Sequence, residues 1–126
     1  MNNSRYGGFV VSKNILNGQR VRYSYRTESS IPQLNGWTLL SEIDDDAYVN
    51  NSSNFEIVNA DTILKYAPQI MMIFEAPYGT DLFWVYGEET HTLIGFYDLN
   101  KRCSVSVHDI VAGNDKNKED KENEHE

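Results

Sequence analysis

One cysteine, Cys103, stands in the 126 residues, which excludes an intrachain disulfide framework and any metal cluster built on several thiolates. A lone thiol fits a reducing compartment, and the cytoplasm is the expected location. No apolar run approaches the roughly 20 residues that a membrane helix requires. The opening MNNSRYGGFVV carries one Arg and too short an apolar stretch for a secretory signal, so membrane association is not expected. The signatures of common enzymes are also missing: there is no GxSxG, no P-loop, no GxGxxG and no HExxH. His91, His108 and His125 lie far apart, at no metal-ligand spacing. Cys103 has Lys101 and Arg102 beside it, which favours a thiolate, but with no base identified it reads as a small core residue or an inert surface thiol. No catalytic residue, metal ligand or cofactor is assigned.

Positive charge is scarce over most of the chain. Residues 27–100 hold twelve acids against Lys65 alone, whereas residues 1–26 hold Arg5, Lys13, Arg20, Arg22 and Arg26 and no acid. With a formal net charge of -8 the protein has no electrostatic means of holding a phosphate backbone broadly, so nucleic acid is not an expected ligand. The same charge steers a protein toward a basic partner, or simply keeps it soluble.

Bulky apolar residues, by contrast, are plentiful. Eight Tyr, five Phe and two Trp within a hydrophobic share of 40% are too much for a wholly disordered chain, and the length suits one domain with its own core. Gly7-Gly8 opens a strand over Phe9-Val10-Val11, and Asn17-Gly18 is the strongest hairpin signal present. From Gln19 to Arg26, the residues Arg20, Arg22, Ser24 and Arg26 alternate with Val21, Tyr23 and Tyr25, the period of a half-buried strand with an arginine stripe on its polar face. Such a stripe can read phosphate or carboxylate; a solvated face, or ion pairs with the acids that follow, is the preferred reading. Residues 27–35 form a loop around Pro32, and Trp37 to Leu40 a third strand.

Ser41 to Asp46 then breaks the apolar pattern with a knot of acids. In an extended chain Glu42, Asp44 and Asp46 share one face, where they repel unless solvent, a cation or a basic partner relieves them. The spacing resembles the start of an EF-hand loop, but Ala47 stands where that loop needs glycine and Ser53 where it needs a bidentate Glu. A general acid/base pair would need burial that nothing local supplies. A solvated acidic loop remains, with Tyr48 as an anchor and Asn50, Asn51 and Asn54 suited to turning the chain.

Phe55 to Val58 is a short extended piece. Asn59 and Asp61 are good helix caps for a helix over 61–66, and Pro68 ends that turn and opens a second over 68–74, whose near-continuous apolar surface suits packing on a sheet. Leu82 to Tyr86 and Thr92 to Tyr97 read as strands joined by a loop over 87–91, with a weaker strand over 105–111. Residues 113–126 have no apolar residue and are expected to be a disordered charged tail. The expectation is a single α+β domain over 1–112, with a twisted, mostly antiparallel sheet of about five strands and one or two short helices on one face. Its expected core is Val10, Val21, Tyr23, Trp37, Leu39, Ile57, Ile63, Ile70, Ile73, Phe83, Val85 and Ile94.

Several landmarks also occur in a telling order: Ser12, Ile15 and Gly18; Val21, Tyr23 and Tyr25-Arg26; Asn35-Gly36-Trp37; Glu42 and Asp44 through Asn51; Asp61 through Ile70; Ala76 through Thr80. Over about residues 8–83 the chain resembles the bacterial immunity-protein-33-like domain of polymorphic toxin systems. It departs from that pattern at Glu42-Ile43, where a glycine usually precedes the acids, and at Ala67-Pro68-Gln69, where Asp-Pro-Asp is usual. The resemblance implies a non-enzymatic immunity protein that binds and neutralises a co-encoded toxin, and it carries over no catalytic residues. With the acidic charge, a basic protein toxin is the expected partner, and Glu42, Asp44, Asp45, Asp46, Tyr48, Asn50 and Asn51 the expected binding surface. The alternatives are a general acidic interaction or regulatory domain, or a small enzyme using the carboxylates of Glu42 to Asp46.

Overall fold

The computed structural model describes residues 6–112. Its strands are β1 (Gly8–Ser12), β2 (Val21–Arg26), β3 (Leu34–Ser41), β4 (Phe55–Val58), β5 (Asp81–Tyr86), β6 (Leu93–Asp98) and β7 (Cys103–Val105). Its helices are α1 (Lys13–Leu16), α2 (Asp46–Val49) and α3 (Ala60–Tyr66), with 3-10 turns at Ser52–Asn54 and Pro68–Ile73 and a last helical stretch over 107–112. All seven strands form one sheet in the order β4-β1-β3-β2-β5-β6-β7. Only β1 and β3 run parallel; the other neighbouring pairs are antiparallel. This is the α+β class expected, with two more strands than expected.

The parallel pair explains what becomes of Asn17-Gly18. The chain leaves β1 through α1, whose end is capped by Asn17 donating its N–H to Lys13 and Asn14 carbonyls, and Gly18 takes the positive φ of +108° that lets it turn away. It then lays down β2 and returns as β3 in the gap between β1 and β2. The expected hairpin at Asn17-Gly18 does not form, because β1 and β2 are not neighbours.

The core lies on one face of the sheet. Phe9, Val11, Trp37, Leu39, Leu82, Trp84 and Phe96 point there and are sealed by Ile15 of α1, Ile63 of α3 and Ile70 and Ile73 of the 3-10 turn. Asn59 accepts the N–H of Thr62 to cap α3, and Pro68 begins the 3-10 turn as its sequence position implies. The Trp84 indole donates to Ser24 Oγ at 2.8 Å, which explains a serine with no solvent exposure in the middle of a central strand.

Arg26 is on the same inward face, as partner of Trp37 across β2 and β3. Its guanidinium donates to the carbonyls of Asn35, Phe74 and Ala76 and lies over the rings of Tyr78, Phe74 and Trp37. It thereby satisfies carbonyls where the 3-10 turn ends. Tight steric fit accompanies it: a Cβ on Gly36, whose φ is +92°, would lie 2.3 Å from the carbonyl oxygen of Thr27.

Strand faces are where sequence and structure part. Val21, Trp37, Leu39, Ile63, Ile70 and Ile73 are buried as expected, but Ile57, Phe83 and Ile94 are 63%, 42% and 66% exposed, and Val10, Tyr23 and Val85 are only half-buried. The apolar residues of β1 and β5 run without polar alternation, so the pattern does not say which face is inward, and the helices select the face of Phe9, Val11, Leu82 and Trp84. In β2 an irregularity between Val21 and Tyr23 shifts the register, which puts Ser24 inward and Tyr23 and Tyr25 on the other face. The expected strand over 105–111 is also corrected. Ser106 and Asp109 exchange side-chain-to-backbone hydrogen bonds of 3.0 and 3.2 Å, a capping box that starts a helical turn immediately after β7. The expected tail over 113–126 lies outside the described residues.

Candidate functional site

The acidic stretch leaves β3 and folds back over the end of the sheet face that carries no helix from the core layer. Each of its acids has a local task set by its neighbours. Glu42 Oε1 accepts from Arg20 Nε at 3.0 Å and lies 3.5 Å from Arg22 Nη2, so two members of the arginine stripe are taken up in ion pairing. Arg20 also stacks over the Tyr86 ring, 4.3 Å from its centroid. Asp44 accepts from the backbone N–H and hydroxyl of Ser41 at 2.8 and 2.7 Å and from Asn14 Nδ2 at 2.7 Å. Partial burial works against its charge, but hydrogen bonds from Ser41, Asn14 and Ser12 outweigh it and hold the carboxyl below the usual Asp value. Asp45 caps α2 by accepting the Tyr48 N–H at 2.8 Å.

The aromatic and the asparagines organise the return. Tyr48 takes a hydrogen bond from Ser12 Oγ and gives one to the Asn54 carbonyl, while Asn54 Nδ2 donates to the Tyr48 carbonyl at 2.9 Å. Asn51 caps the following 3-10 turn by accepting the Ser53 N–H and hydroxyl. Asp46 and Asn50 are exposed. The structure therefore keeps all seven expected residues in one segment but divides them: Glu42, Asp44, Asp45, Tyr48 and Asn51 hold the loop in shape, and Asp46 and Asn50 face outward. As acid/base chemistry the arrangement is poorly tuned, since Asp44 is shifted away from the protonated form a general acid needs and Glu42 faces two guanidinium groups. Among the described residues no three of His, Cys, Asp or Glu are grouped to hold a metal ion.

Folding this segment over the sheet creates a groove of about 490 Å³. Its floor is a row of cross-strand neighbours, with Ile57 opposite Val10, Val10 opposite Thr38 and Thr38 opposite Tyr25. Val49, Asn50, Ser52 and Phe55 form its wall, and Glu56 also lines it. Phe55 is braced by Tyr48, ring centroids 6.3 Å apart. Beyond Tyr25 the aromatic surface continues into Tyr23 and Phe83, at centroid distances of 5.5 Å from Tyr25 to Tyr23 and 6.4 Å from Tyr23 to Phe83. Asp81 sits opposite Tyr25 at this margin. Burial pushes the Tyr23 phenol well above the usual range, and a hydrogen bond with Asp81 and that residue's charge add to the effect. Asp81 Oδ1 is itself buried with no hydrogen-bond partner among the described residues.

Sequence reasoning singles out the rim of this groove and misses its floor. The apolar pattern assigns Val10 and Ile57 to the core and Tyr25 to the inward side of its strand. The available signal is that β1, β2 and β5 have bulky residues on both faces, more apolar surface than two short helices can cover.

Comparison with curated proteins and with solved structures gives no match in either case. A family model described as the immunity protein Imm33 domain matches residues 9–93. That span runs from the second residue of β1 to the first of β6 and takes in the acidic segment and the whole groove. With two thirds of its length matched in this way, the chain belongs to the Imm33 immunity protein family.

Proposed function

We propose that this protein is a non-enzymatic immunity protein that neutralises a cognate toxin by binding it, and that the toxin presents a basic surface. Membership of the Imm33 family, over a span that includes the acidic segment, carries the reading. The charge arrangement supports it. Arg20 and Arg22 are occupied by Glu42 and Arg26 by backbone carbonyls, so the stripe that resembles a cationic face in the sequence is largely consumed inside the fold. Exposed acids, among them Asp45, Asp46, Glu56, Glu88 and Glu89, then dominate the field that an approaching partner meets. Such a field accelerates association with a basic protein and makes it salt-sensitive. The segment Glu42, Asp44, Asp45, Asp46, Tyr48, Asn50 and Asn51 contributes to binding through Asp46 and Asn50 directly and through the others by holding the loop rigid.

Co-expression with the toxin encoded beside this gene tests the proposal. The expected result is restored growth and co-purification of the pair in a defined ratio. Growth arrest despite soluble protein, together with no complex, would sink it.

A further inference from the structure

The described surface offers two apolar recesses of note. One lies between Met72, Ile94 and Val105, at the far edge of the sheet, with a volume of about 310 Å³ and no charged residue in its lining. The other is the groove over Val10, Tyr25, Thr38, Phe55 and Ile57, and it differs in its electrostatic setting. No Lys or Arg lines it. Asp46 stands three and four positions before Val49 and Asn50 on α2, hence on the same side of that helical turn as two residues of the groove wall. Glu56 lines the groove itself, and Asp81, with an unsatisfied carboxylate oxygen, lies opposite Tyr25 at the other end. An apolar trough bounded by carboxylates at both ends fits a chain segment that carries an apolar side chain between basic ones.

We infer that the toxin docks on this helix-free sheet face, inserting an apolar side chain from a basic segment into the groove between β2 and β4. This rests on the proposed immunity function and specifies its surface. Ile57 is 63% exposed in the free protein and sits at the groove floor, so a partner residue seated there buries it. Tyr25 supplies an aromatic wall against which an apolar or guanidinium group packs. Shape is preorganised, because the wall formed by Val49 to Phe55 is held by the Tyr48 and Asn54 hydrogen bonds.

The test uses the full chain and a catalytically inactive form of the toxin encoded beside the gene. Affinity is measured for the wild type, for Ile57→Asp and for Met72→Asp, which lies in the other recess. A photo-crosslinking residue is also placed at position 57 or, separately, at position 72. I57D is expected to weaken binding by roughly tenfold or more while M72D leaves it within about twofold, with cross-links to the toxin from position 57 and not 72. Circular dichroism and the unfolding midpoint of I57D should match the wild type, since the side chain is exposed on an edge strand; Ile57→Lys, at the same exposed site, provides a second reading if I57D is unstable. Undiminished affinity in a folded I57D or I57K, or cross-links from 72 alone, overturns the docking surface and leaves the immunity function standing. Absence of any wild-type complex overturns the immunity reading and the surface with it. A concentration-dependent dimer of the isolated protein that I57D dissociates would assign the groove to a second copy and so overturn the inference.

Discussion

The Arg26 guanidinium donates to the carbonyl oxygen of Ala76 at 2.7 Å, joining the centre of the sheet to the end of the 3-10 turn fifty residues later. The same Nη1 reaches the Phe74 carbonyl at 2.8 Å and Nε the Asn35 carbonyl at 3.0 Å. These are charge-assisted bonds to acceptors that would otherwise be stranded at a helix end. Replacing Arg26 by Ala should lower unfolding free energy by about 2–4 kcal/mol, read from urea denaturation. Arg26→Lys should recover little, because a point-like ammonium cannot reproduce the planar fork.

Ser24 and Trp84 form the corresponding polar contact deep in the core. Ser24→Ala removes the acceptor for a buried indole N–H and should cost about 1–3 kcal/mol. Ser29→Ala, at a residue whose hydroxyl serves an exposed turn, should stay within about 0.5 kcal/mol of wild type. Equal denaturation midpoints for the two variants would contradict this assignment.

Asp44 makes stability depend on acid. Its folded pKa lies below the ordinary 3.8, so its contribution is fully present above that value and is lost as the pH falls through the lower folded one. Asp44→Asn should therefore be less stable than wild type at neutral pH, with the gap narrowing as the pH falls toward 3. Urea midpoints measured across that range supply the check; a gap independent of pH would refute it.

Two glycines of positive φ separate conformation from sterics. Gly18, at +108°, has open space for 4 Å around the point a Cβ would occupy, whereas at Gly36 that point lies 2.3 Å from backbone oxygen. Gly18→Ala should cost about 1–2 kcal/mol for the left-handed conformation alone, and Gly36→Ala distinctly more because Thr27 and β2 must shift. Thermal unfolding of the pair measures the difference.

Asp46 tests steering apart from contact. Asp46→Lys should slow association with the toxin by about threefold or more at low salt and flatten its salt dependence, with dissociation little changed. Stopped-flow kinetics at two ionic strengths would show it, and an unchanged association rate would argue against an acidic docking field.

Local grammar was largely legible in the chain. Asn59 and Pro68 mark the ends they were expected to mark, Tyr48 anchors and the asparagines turn, and Glu42 meets the arginine stripe as an ion pair. These outcomes depend on residues a few positions apart, or on charges that find each other in any compact arrangement. The register of β2, the placement of β3 between β1 and β2, and the inward face of β1 and β5 were not legible. A single-strand period cannot choose between two apolar faces; that choice waits on where Ile63, Ile70 and Ile73 pack.

The sequence by itself determined the α+β class, the absence of recognisable catalytic motifs, the acidic balance and the family signature, because composition, spacing and capping act over short range. Tertiary structure alone decided which acids remain outward, since Asp44 and Asp46 differ only in the partners the fold brings to them. It also decided that Val10, Tyr25 and Ile57 line a groove instead of the core. Strands distant in sequence become neighbours only when the sheet closes, and the helices cover just one of its faces.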